Sequence, residues 1–457
     1  MEQFKKVYFI GIGGIGMSAL ARFFNEKGTM VYGYDRRPTP LTRLLEKEGM
    51  DIQYEENMNH VPEEVDLVVY TPAIPASSEL FKYAQGLGVP FLKRADVLEQ
   101  ISKDYKCVAI AGTHGKTTIT TMTAFLLRAS GFGCNAFLGG VSANYQTNYW
   151  THERPLVVIE ADEYDRSFLK LHPDIAILSA VSADHLDVFG SEEAVHQAFK
   201  DFVNKISENG VLMVNQQVPK LWEREDLEVF TYGLDVDKGA DFIALNIQAE
   251  DGGFRFDILD RGELYEGFYM AMGGRHNVEN VLAAYAVARI EGVELDKIKA
   301  AMQGFKGVKR RYEYIVNTKG YVYIDDYAHH PEELFQLLNG VKKAFPEKKV
   351  KIIFQPHLFS RTQSFYKAFG ESLSLADEVV LLPIYPAREL PIEGVSAEMI
   401  LPFIELEASK KAVSTLENVV ESISFLPGQI LISAGAGDID QIVEKIKEKF
   451  EQNIGHG

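Results

Sequence analysis

Cysteine is almost absent from this chain, and its scarcity is the first constraint on function. Only Cys107 and Cys134 occur among 457 residues, both in apolar or glycine-rich surroundings. Two isolated thiols do not make the disulfide framework of a small secreted protein or a cysteine-rich metal site. We therefore expect two inert core thiols in a reducing compartment, rather than redox or metal chemistry.

Long apolar runs and an excess of basic charge are also missing. No apolar run reaches the roughly 20 residues of a membrane-spanning helix. The stretch MEQFKKVYFIGIGG has no long apolar region and no small-residue cleavage site, so we expect no signal peptide. These absences predict a cytoplasmic protein without membrane insertion. The formal net charge of −18 argues against a nucleic-acid partner, although glycine loops and helix N-termini still bind small phosphorylated ligands locally.

What the chain does contain is an alternation of strand and helix patterns, which is typical of α/β domains with parallel sheets. Charge and glycine interrupt the apolar periodicity near Ser102 and Gly307. We predict three domains, namely 1–102, 103–307 and 308–457. Strands are predicted at 6–10, 30–34, 65–70, 89–92, 107–111, 156–160, 175–181, 321–325, 350–354, 378–382 and 429–433. Hairpin-like alternation around Gly252 makes the central sheet mixed, and further helices are expected at 14–27, from about 277, and at 439–451.

The first glycine-rich loop, Gly11-Ile12-Gly13-Gly14-Ile15-Gly16, lies between a predicted strand and a predicted helix. Glycines in this context permit a tight turn and let the backbone approach phosphate groups. Asp35 ends the next predicted strand, where an acidic residue would meet a ribose hydroxyl. The loop predicts a phosphate site of the dinucleotide-binding type. Taken alone, it would suggest an NAD enzyme, and a purely structural turn is the alternative.

A second loop, Gly112-Thr113-His114-Gly115-Lys116-Thr117-Thr118, also follows an apolar strand and precedes a helix. Its lysine can neutralise phosphate charge, and a threonine hydroxyl can ligate Mg²⁺. Ile110 stands where an ordinary P-loop has its first glycine, so the loop is a shortened form. It predicts a nucleoside triphosphate site in a P-loop ATPase-like central domain.

Nine motifs along the chain occur in the order found in the Mur ligases, the ATP-dependent amino-acid-adding enzymes of peptidoglycan synthesis. They are GIGGIGMSALA, AGTHGKTT, EADEYDRSFL, DHLD, GRHNVENVLAA, GVKRRYE, DDYAHHPEE, FQPHLFSRT and AGAGDI. The chain resembles this family over essentially its whole length, and most closely the branch that adds L-alanine to UDP-N-acetylmuramate. The resemblance implies a Rossmann-like UDP-binding domain, a central ATP-binding domain and a Rossmann-like C-terminal domain. It also implies small-molecule substrates (ATP, UDP-N-acetylmuramate and L-alanine), an acyl-phosphate intermediate and two Mg²⁺ ions.

Residue by residue, the resemblance implies three groups of contacts. ATP would contact Gly112, Thr113, His114, Gly115, Lys116, Thr117, Thr118, His276, Asn280, Arg311 and Asp325. The UDP-sugar would contact Gly11, Gly13, Gly14, Gly16, Asp35, Thr71 and Arg94. The amino acid would contact Tyr327, His329 and Arg361.

The same resemblance assigns catalysis to Lys116, His185, His329 and Arg361, and metal binding to Thr117, Glu160 and His185. Two choices stay open, Asp325 against Asp326 and Arg311 against Arg310, the latter being alternatively a surface charge. Leu358 stands where relatives in the alanine-adding class often carry arginine. That difference favours Arg361 as the carboxylate contact and leaves selectivity for L-alanine over glycine or serine open.

Three alternatives remain at this point. A recycling ligase of the same family would attach a preformed tripeptide and would need a larger C-terminal pocket. A sensor or scaffold would bind UDP-sugars without turnover, but would have no need of Lys116, Thr117, Glu160, His185 and Arg361 together. An NAD oxidoreductase would leave the second loop unexplained.

Overall fold

The structure is a computed structural model that describes residues 4–75, 77–163, 166–182, 189, 191–250, 252–318, 320–387 and 389–454. The chain divides into two compact units. The first comprises Met1–Ile247, Phe256–Tyr269 and Val278–Phe305, and the second comprises Gln248–Arg255, Met270–Asn277 and Lys306–Gly457. Within the described ranges no helix is both long and apolar enough to cross a membrane.

The N-terminal domain, in the first unit, is built on a parallel sheet with strand order β3-β2-β1-β4-β5. Its strands are β1 (Lys6–Ile10), β2 (Met30–Tyr34), β3 (Asp51–Gln53), β4 (Leu67–Tyr70) and β5 (Phe91–Lys93). Its helices are α1 (Ile15–Glu26), α2 (Pro40–Lys47), α3 (Glu79–Gln85) and α4 (Arg94–Asp104). The strand order reverses between β1 and β4, which is the Rossmann arrangement and places the loop after β1 at the usual ligand crevice.

The central domain, most of which lies in the first unit, carries a ten-stranded sheet with order β15-β14-β13-β12-β11-β10-β6-β9-β7-β8. Its strands are β6 (Lys106–Ala111), β7 (Asn135–Phe137), β8 (Tyr149–Trp150), β9 (Leu156–Glu160), β10 (Ile175–Leu178), β11 (Val211–Asn215), β12 (Glu228–Gly233), β13 (Phe242–Glu250), β14 (Gly253–Asp260) and β15 (Glu263–Met270). Helices are α5 (Lys116–Ala129), α6 (Glu192–Val203), α7 (Arg275–Ile290) and α8 (Leu295–Gln303). The sheet is mixed, since β7 pairs antiparallel with β8 and parallel with β9.

Burial explains why the middle of this sheet reads as uninterrupted apolar sequence. Strands β6, β9 and β10 are covered on both faces, as parallel strands flanked by helices normally are. Both cysteines lie in this core and are fully buried. Burial raises the pKa of Cys134 to about 12 and shifts the pKa of Cys107 in the same direction. A thiolate is therefore scarce at neutral pH, as expected for inert thiols.

The second unit contains a six-stranded sheet with order β16-β17-β21-β18-β19-β20. Its strands are β16 (Glu313–Asn317), β17 (Val322–Asp326), β18 (Lys349–Phe354), β19 (Glu378–Leu381), β20 (Lys411–Val413) and β21 (Gln429–Ala434). Its helices are α9 (Pro331–Ala344), α10 (Phe359–Leu373), α11 (Leu416–Ser422) and α12 (Val443–Ile454). Only the edge pair β16–β17 among the pairings described here is antiparallel, so this domain is Rossmann-like with one reversed edge strand.

Several strand and helix ends differ from the sequence-based predictions, and two of these differences have a clear physical reason. The strand predicted at 89–92 begins later, at Phe91, because Pro90 has no N–H for the ladder, although its carbonyl accepts from Val68 N–H at 2.9 Å. The strand predicted at 175–181 ends at Leu178, where Ser179 turns to donate its hydroxyl to the carbonyl of Ala111. The C-terminal helix begins with a 3₁₀ turn at Asp438–Ile442.

Inside the first unit, Asn148 joins the N-terminal and central domains. It is fully buried just before β8, and its Nδ2 donates to Ile15 O at 2.5 Å and Ser18 Oγ at 3.0 Å. Its Oδ1 accepts from the guanidinium of Arg22, which also forms a bidentate pair with Glu48 at 2.8 Å. The first two turns of α1, directly after the first glycine loop, are thereby attached to the central domain.

Candidate functional site

The first glycine loop is braced by an acidic side chain. Gly13 N–H donates to Asp35 Oδ2 at 2.8 Å, and a Cβ at Gly13 would lie 2.7 Å from that oxygen. Gly11 has φ +85°, and a Cβ there would meet Thr71 Cγ2 at 2.6 Å. Both glycines are therefore required by close packing, and Asp35 fixes the conformation of the loop.

Two further predicted residues lie beside this loop. Thr71 follows β4 next to Gly11, and Arg94 opens α4 next to Gly16, where a Cβ would lie 2.7 Å from Arg94 Nη1. Gly14 ends the loop in extended backbone, at φ −64°, as the N-cap of α1. The structure thus brings the predicted UDP-sugar residues together around one helix N-terminus, which is a favourable anion site.

The second glycine loop joins β6 to α5. Gly112 has φ +143°, and a Cβ there would lie 2.1 Å from Ser179 Oγ. Gly115 is left-handed, at φ +81°, as the N-cap of α5, and a Cβ would lie 2.9 Å from Asn280 Oδ1. Asn280, predicted to contact the nucleotide, therefore sits against the loop. Left-handed backbone and close neighbours together restrict both positions to glycine.

The loop's other polar residues are held by the segment that follows β10. Thr113 N–H donates to Ala180 O at 2.9 Å, and its hydroxyl lies 2.9 Å from Ser182 Oγ. His114 Nε2 lies 3.5 Å from the same serine oxygen. Thr118 is buried on the first turn of α5. The loop is thus supported by side chains outside its own motif.

Lys116 lies between the loop backbone and an acidic residue that the sequence did not single out. Its Nζ donates to Gly112 O and to Glu163 Oε1, both at 2.7 Å. The side chain of Glu163 is 1% exposed and that of Lys116 is 13% exposed, so the ion pair is largely removed from water. Burial raises the pKa of Glu163, and the adjacent ammonium opposes that shift.

Two oxygen-bearing side chains suited to Mg²⁺ meet next to this pair. Thr117 Oγ1 donates to Glu160 Oε1 at 3.0 Å, and Gly139 N–H donates to Glu160 Oε2 at 3.1 Å. A hydroxyl and a carboxylate are the hard oxygen ligands that Mg²⁺ prefers, so the donor set fits such an ion. Across the described ranges, no group of three or more His, Cys, Asp or Glu side chains is arranged as a metal site. His185 lies outside the described residues.

In the second unit, the half-buried Arg310 pairs with the buried Asp325 at the end of β17. Arg310 Nε donates to Asp325 Oδ2 at 3.1 Å, and Arg310 Nη2 donates to Gly435 O at 2.6 Å. Ser433 also donates to Asp325, which is 1% exposed, and burial raises the pKa of Asp325 to about 6. Arg310 is therefore not a surface charge. The predicted contact of Asp325 with ATP stays a prediction, because this carboxylate is engaged inside the domain.

Arg311 and Asp326 occupy the adjacent positions. The guanidinium of Arg311 lies 5.1 Å from the ring centre of Tyr327, a cation–π distance. Asp326 accepts backbone N–H bonds from Tyr312 at 2.6 Å and Ala328 at 2.7 Å, so it shapes the turn that carries Tyr327. His276 lies at the exposed start of α7, in the same unit.

The predicted amino-acid residues also come together, with Tyr327 and His329 on the loop after β17 and Arg361 on the first turn of α10. His329 Nδ1 lies 3.0 Å from Tyr327 O and 3.3 Å from Glu333 Oε2. His357 joins this group to Arg361, since its ring centre lies 5.8 Å from that of His329 and its Nδ1 lies 3.4 Å from Arg361 Nη1. Burial lowers the pKa of His329, which favours the neutral imidazole.

Leu358 takes a backbone conformation that is rare for leucine. It caps the N-terminus of α10 with φ +70° and ψ 135°, and its N–H donates to Tyr385 O at 2.9 Å. The next-turn residue Thr362 donates both its N–H and its hydroxyl back to Leu358 O. Left-handed backbone at a non-glycine residue is costly, and the neighbouring hydrogen bonds hold it in place.

Three family models match successive parts of the chain. Residues 6–106 match the Mur ligase family catalytic domain, residues 110–288 the Mur ligase middle domain, and residues 310–437 the Mur ligase glutamate ligase domain. A UDP-N-acetylmuramate–L-alanine ligase from Cytophaga hutchinsonii is 44% identical, over 100% of this chain and 99% of the relative. The chain belongs to the Mur ligase family. It is accordingly an ATP-dependent ligase with ATP as a substrate.

Other relatives agree with this membership. A UDP-N-acetylmuramate–L-alanine ligase from Christiangramia forsetii is 41% identical over 98% of both chains. Among solved structures, the UDP-N-acetylmuramate–alanine ligase of Thermotoga maritima matches with a TM-score of 0.84 at 28% identity, covering 98% of this chain and 99% of the other. A murein peptide ligase from Psychrobacter arcticus matches with a TM-score of 0.70 at 25% identity, covering 97% and 98%.

Sequence reasoning missed three residues that shape this Mur ligase site. Glu163 lies in the EADEYDRSFL motif, where a second carboxylate three residues after Glu160 was the available signal. Asn148 and Glu333 gave no comparable signal, because their importance depends on partners brought together by the fold. The pairing of Arg310 with Asp325 was not predicted either, because the sequence left Arg310 as an alternative surface charge.

Proposed function

We propose that the chain ligates L-alanine to the carboxylate of UDP-N-acetylmuramate, giving UDP-N-acetylmuramoyl-L-alanine, ADP and phosphate. The observation that carries this proposal is the full-length identity of 41–44% to ligases of that name. The reaction supplies a peptidoglycan precursor and would take place in the cytoplasm. Within it, we assign UDP-sugar binding to residues 1–102, ATP binding to 103–307 and amino-acid binding to 308–457.

Activation of the carboxylate would occur at the second glycine loop. Lys116 would hold the transferring phosphoryl group, since phosphoryl transfer depends mainly on positioning and neutralised charge. Thr117 and Glu160, with His185, would hold two Mg²⁺ ions, which supply further neutralisation of phosphate charge when bound. Asn280, which sits against the loop, and Arg311, with His276 and Asp325, would contact the rest of the nucleotide.

Attack by the amino acid would occur at the cluster formed by the loops after β17 and β18 and the first turn of α10. Arg361 would hold the carboxylate of L-alanine, because a guanidinium matches that group in two parallel hydrogen bonds. His329 is held by Tyr327 O and Glu333, and burial lowers its pKa, so a neutral imidazole is available to accept a proton from the attacking amine.

The decisive test is phosphate release from ATP and Mg²⁺ with UDP-N-acetylmuramate and a panel of amino acids. We expect release only when both the UDP-sugar and L-alanine are present. Lys116→Ala should lower the rate on the order of 100-fold, as for loss of one charge-stabilising group in a reaction centre. Lys106→Ala is the matched control, because that lysine lies at the opposite end of β6, where its exposed side chain pairs with Glu291. Its rate should stay within about twofold.

Other outcomes would redirect the proposal. Release with a tripeptide but with no single amino acid would identify a recycling ligase. Nucleotide and UDP-sugar binding without any release would indicate a sensor. A rate in Lys116→Ala equal to that of Lys106→Ala would contradict the role given to the second loop.

A further inference from the structure

The contact between Lys116 and Glu163 has no role in the reaction as described so far. An ammonium group has three N–H donors, and Lys116 uses two of them, on Gly112 O and Glu163 Oε1, each at 2.7 Å. The third donor remains for a phosphate oxygen. Glu163 and a bound phosphate would therefore share one positive charge from opposite sides.

Burial makes this sharing energetically important. The side chain of Glu163 is 1% exposed and that of Lys116 is 13% exposed, so little water screens the charges around Nζ. Two hydrogen bonds to one nitrogen place their acceptors roughly 5 Å apart. Two anions at that separation repel each other strongly in a medium of low dielectric constant. The neighbouring carboxylate of Glu160 is held differently, because it accepts from the Thr117 hydroxyl and from Gly139 N–H.

We propose that Glu163 is a positioning residue that sets nucleotide affinity through Lys116. Its carboxylate holds Nζ at the loop and offsets part of the ammonium's positive charge. The remaining attraction for phosphate is weaker, so that ATP and ADP bind less tightly and ADP dissociates more readily. A purely structural brace would have no such effect on affinity. The inference rests on the proposed use of ATP, but not on the identity of the amino acid.

The test is the affinity of the full chain for MgADP, measured by titration calorimetry. Glu163→Gln keeps the length of the side chain and removes its charge, so the ammonium becomes fully available to phosphate. We expect MgADP to bind at least tenfold more tightly, which corresponds to about 1.4 kcal/mol. In turnover, the same variant should show stronger product inhibition by ADP.

A double-mutant cycle shows whether the effect passes through the lysine. In the Lys116→Ala background, Glu163→Gln should change the affinity for MgADP less than twofold, because no shared ammonium remains. Asp260→Asn is the matched control for loss of a buried carboxylate. Asp260 is 3% exposed and accepts from Tyr285 and Arg289, which lie in the second half of α7 in the same unit. It should lower the unfolding midpoint and leave MgADP affinity within twofold.

A second variant covers the case in which Glu163→Gln does not fold. Glu163→Asp keeps the negative charge but shortens the side chain by one methylene, which moves the carboxylate about 1.5 Å from the ammonium of Lys116. This variant should tighten MgADP binding at least threefold. Unchanged or weaker MgADP binding in the folded variant would overturn the inference, as would an equal gain in the Lys116→Ala background. Normal MgADP binding without ligation of L-alanine would refute only the proposed function. No MgADP binding by the unaltered chain would refute both.

Discussion

Replacing Asn148 by alanine removes the side chain that attaches the first turns of α1 to the central domain. Asn148 is fully buried and makes two hydrogen bonds through Nδ2, to Ile15 O and Ser18 Oγ. Its Oδ1 accepts a third, from the guanidinium of Arg22, which is 4% exposed. The alanine variant leaves a buried carbonyl, a hydroxyl and a charged donor each short of one partner.

The magnitude follows from these three bonds. A neutral buried hydrogen bond is worth about 1 kcal/mol and one to a charged group about 2 kcal/mol, which gives about 4 kcal/mol for the set. Arg22 keeps its bidentate pair with Glu48, and water entering the site would satisfy part of what is lost. We expect a loss of about 3 kcal/mol in the free energy of unfolding of this unit.

Trp150 is a built-in reporter for the measurement, because it lies two residues from Asn148 and is 4% exposed. The only other tryptophan is Trp222, which phenylalanine can replace to give a single signal. With a slope of about 3 kcal/mol per molar urea, the midpoint of Trp150 fluorescence should fall by about 1 M. Amide exchange should also increase over residues 11–18, next to the first glycine loop.

Asn144→Ala is the control, since this residue lies in the same loop and makes an exposed bond to Gly304 O at 2.7 Å. Its midpoint should fall by less than about 0.3 M, because an exposed neutral hydrogen bond is worth little. If Asn148→Ala lowered the midpoint no more than Asn144→Ala does, the three bonds would not hold α1 to the central domain, and the reasoning would be wrong.

Two further predictions concern the N-terminal domain. Gly13→Ala should lower the urea midpoint of unfolding, because the new Cβ would lie 2.7 Å from Asp35 Oδ2. Gly14→Ala should be tolerated, because the nearest atoms to its Cβ would be 3.6 Å away. Equal midpoints for the two variants would contradict the packing argument. The carboxylate of Asp66 accepts hydrogen bonds from two backbone N–H groups at the start of β1, and these bonds lower its pKa. The carboxylate therefore stabilises the folded state fully above about pH 4, and this stabilisation is lost as the pH falls through the lowered pKa. Asp66→Asn should therefore lower the free energy of unfolding by about 1 kcal/mol at pH 7 and by less at pH 2, as measured by urea unfolding at both pH values. An equal loss of stability at both pH values would show that the carboxylate charge is not its source.

Much of the fold could be predicted because its strands are apolar runs bounded by glycine or polar residues. The strands at Lys6–Ile10, Met30–Tyr34 and Leu156–Glu160 have the predicted bounds. Strands such as Asp51–Gln53 and Tyr149–Trp150 were not recognised, because they are short and form only by pairing with a neighbour already in place. Apolar periodicity can be read from a short stretch of sequence, whereas the identity of a strand's pairing partner cannot.

The candidate site divides in the same way. Glycine loops carry a local pattern, so the positions of Gly13, Gly112 and Lys116 could be predicted from spacing. The partners of these residues could not, since Lys116 and Glu163 are 47 positions apart and Arg22 and Asn148 are 126 apart. Which carboxylate faces which cation is decided by strand order and register, and these are properties of the assembled sheet.

The two buried thiols have a practical consequence for measuring motion. Neither Cys107 nor Cys134 presents sulfur to solvent, and the raised pKa values suppress the thiolate that maleimide reagents attack. Cysteines introduced on the surface, for example on α4 and α10, should take up fluorophores selectively while both native cysteines stay in place. Donor and acceptor dyes attached there would report distances between domains during turnover, in a chain whose core is otherwise unaltered.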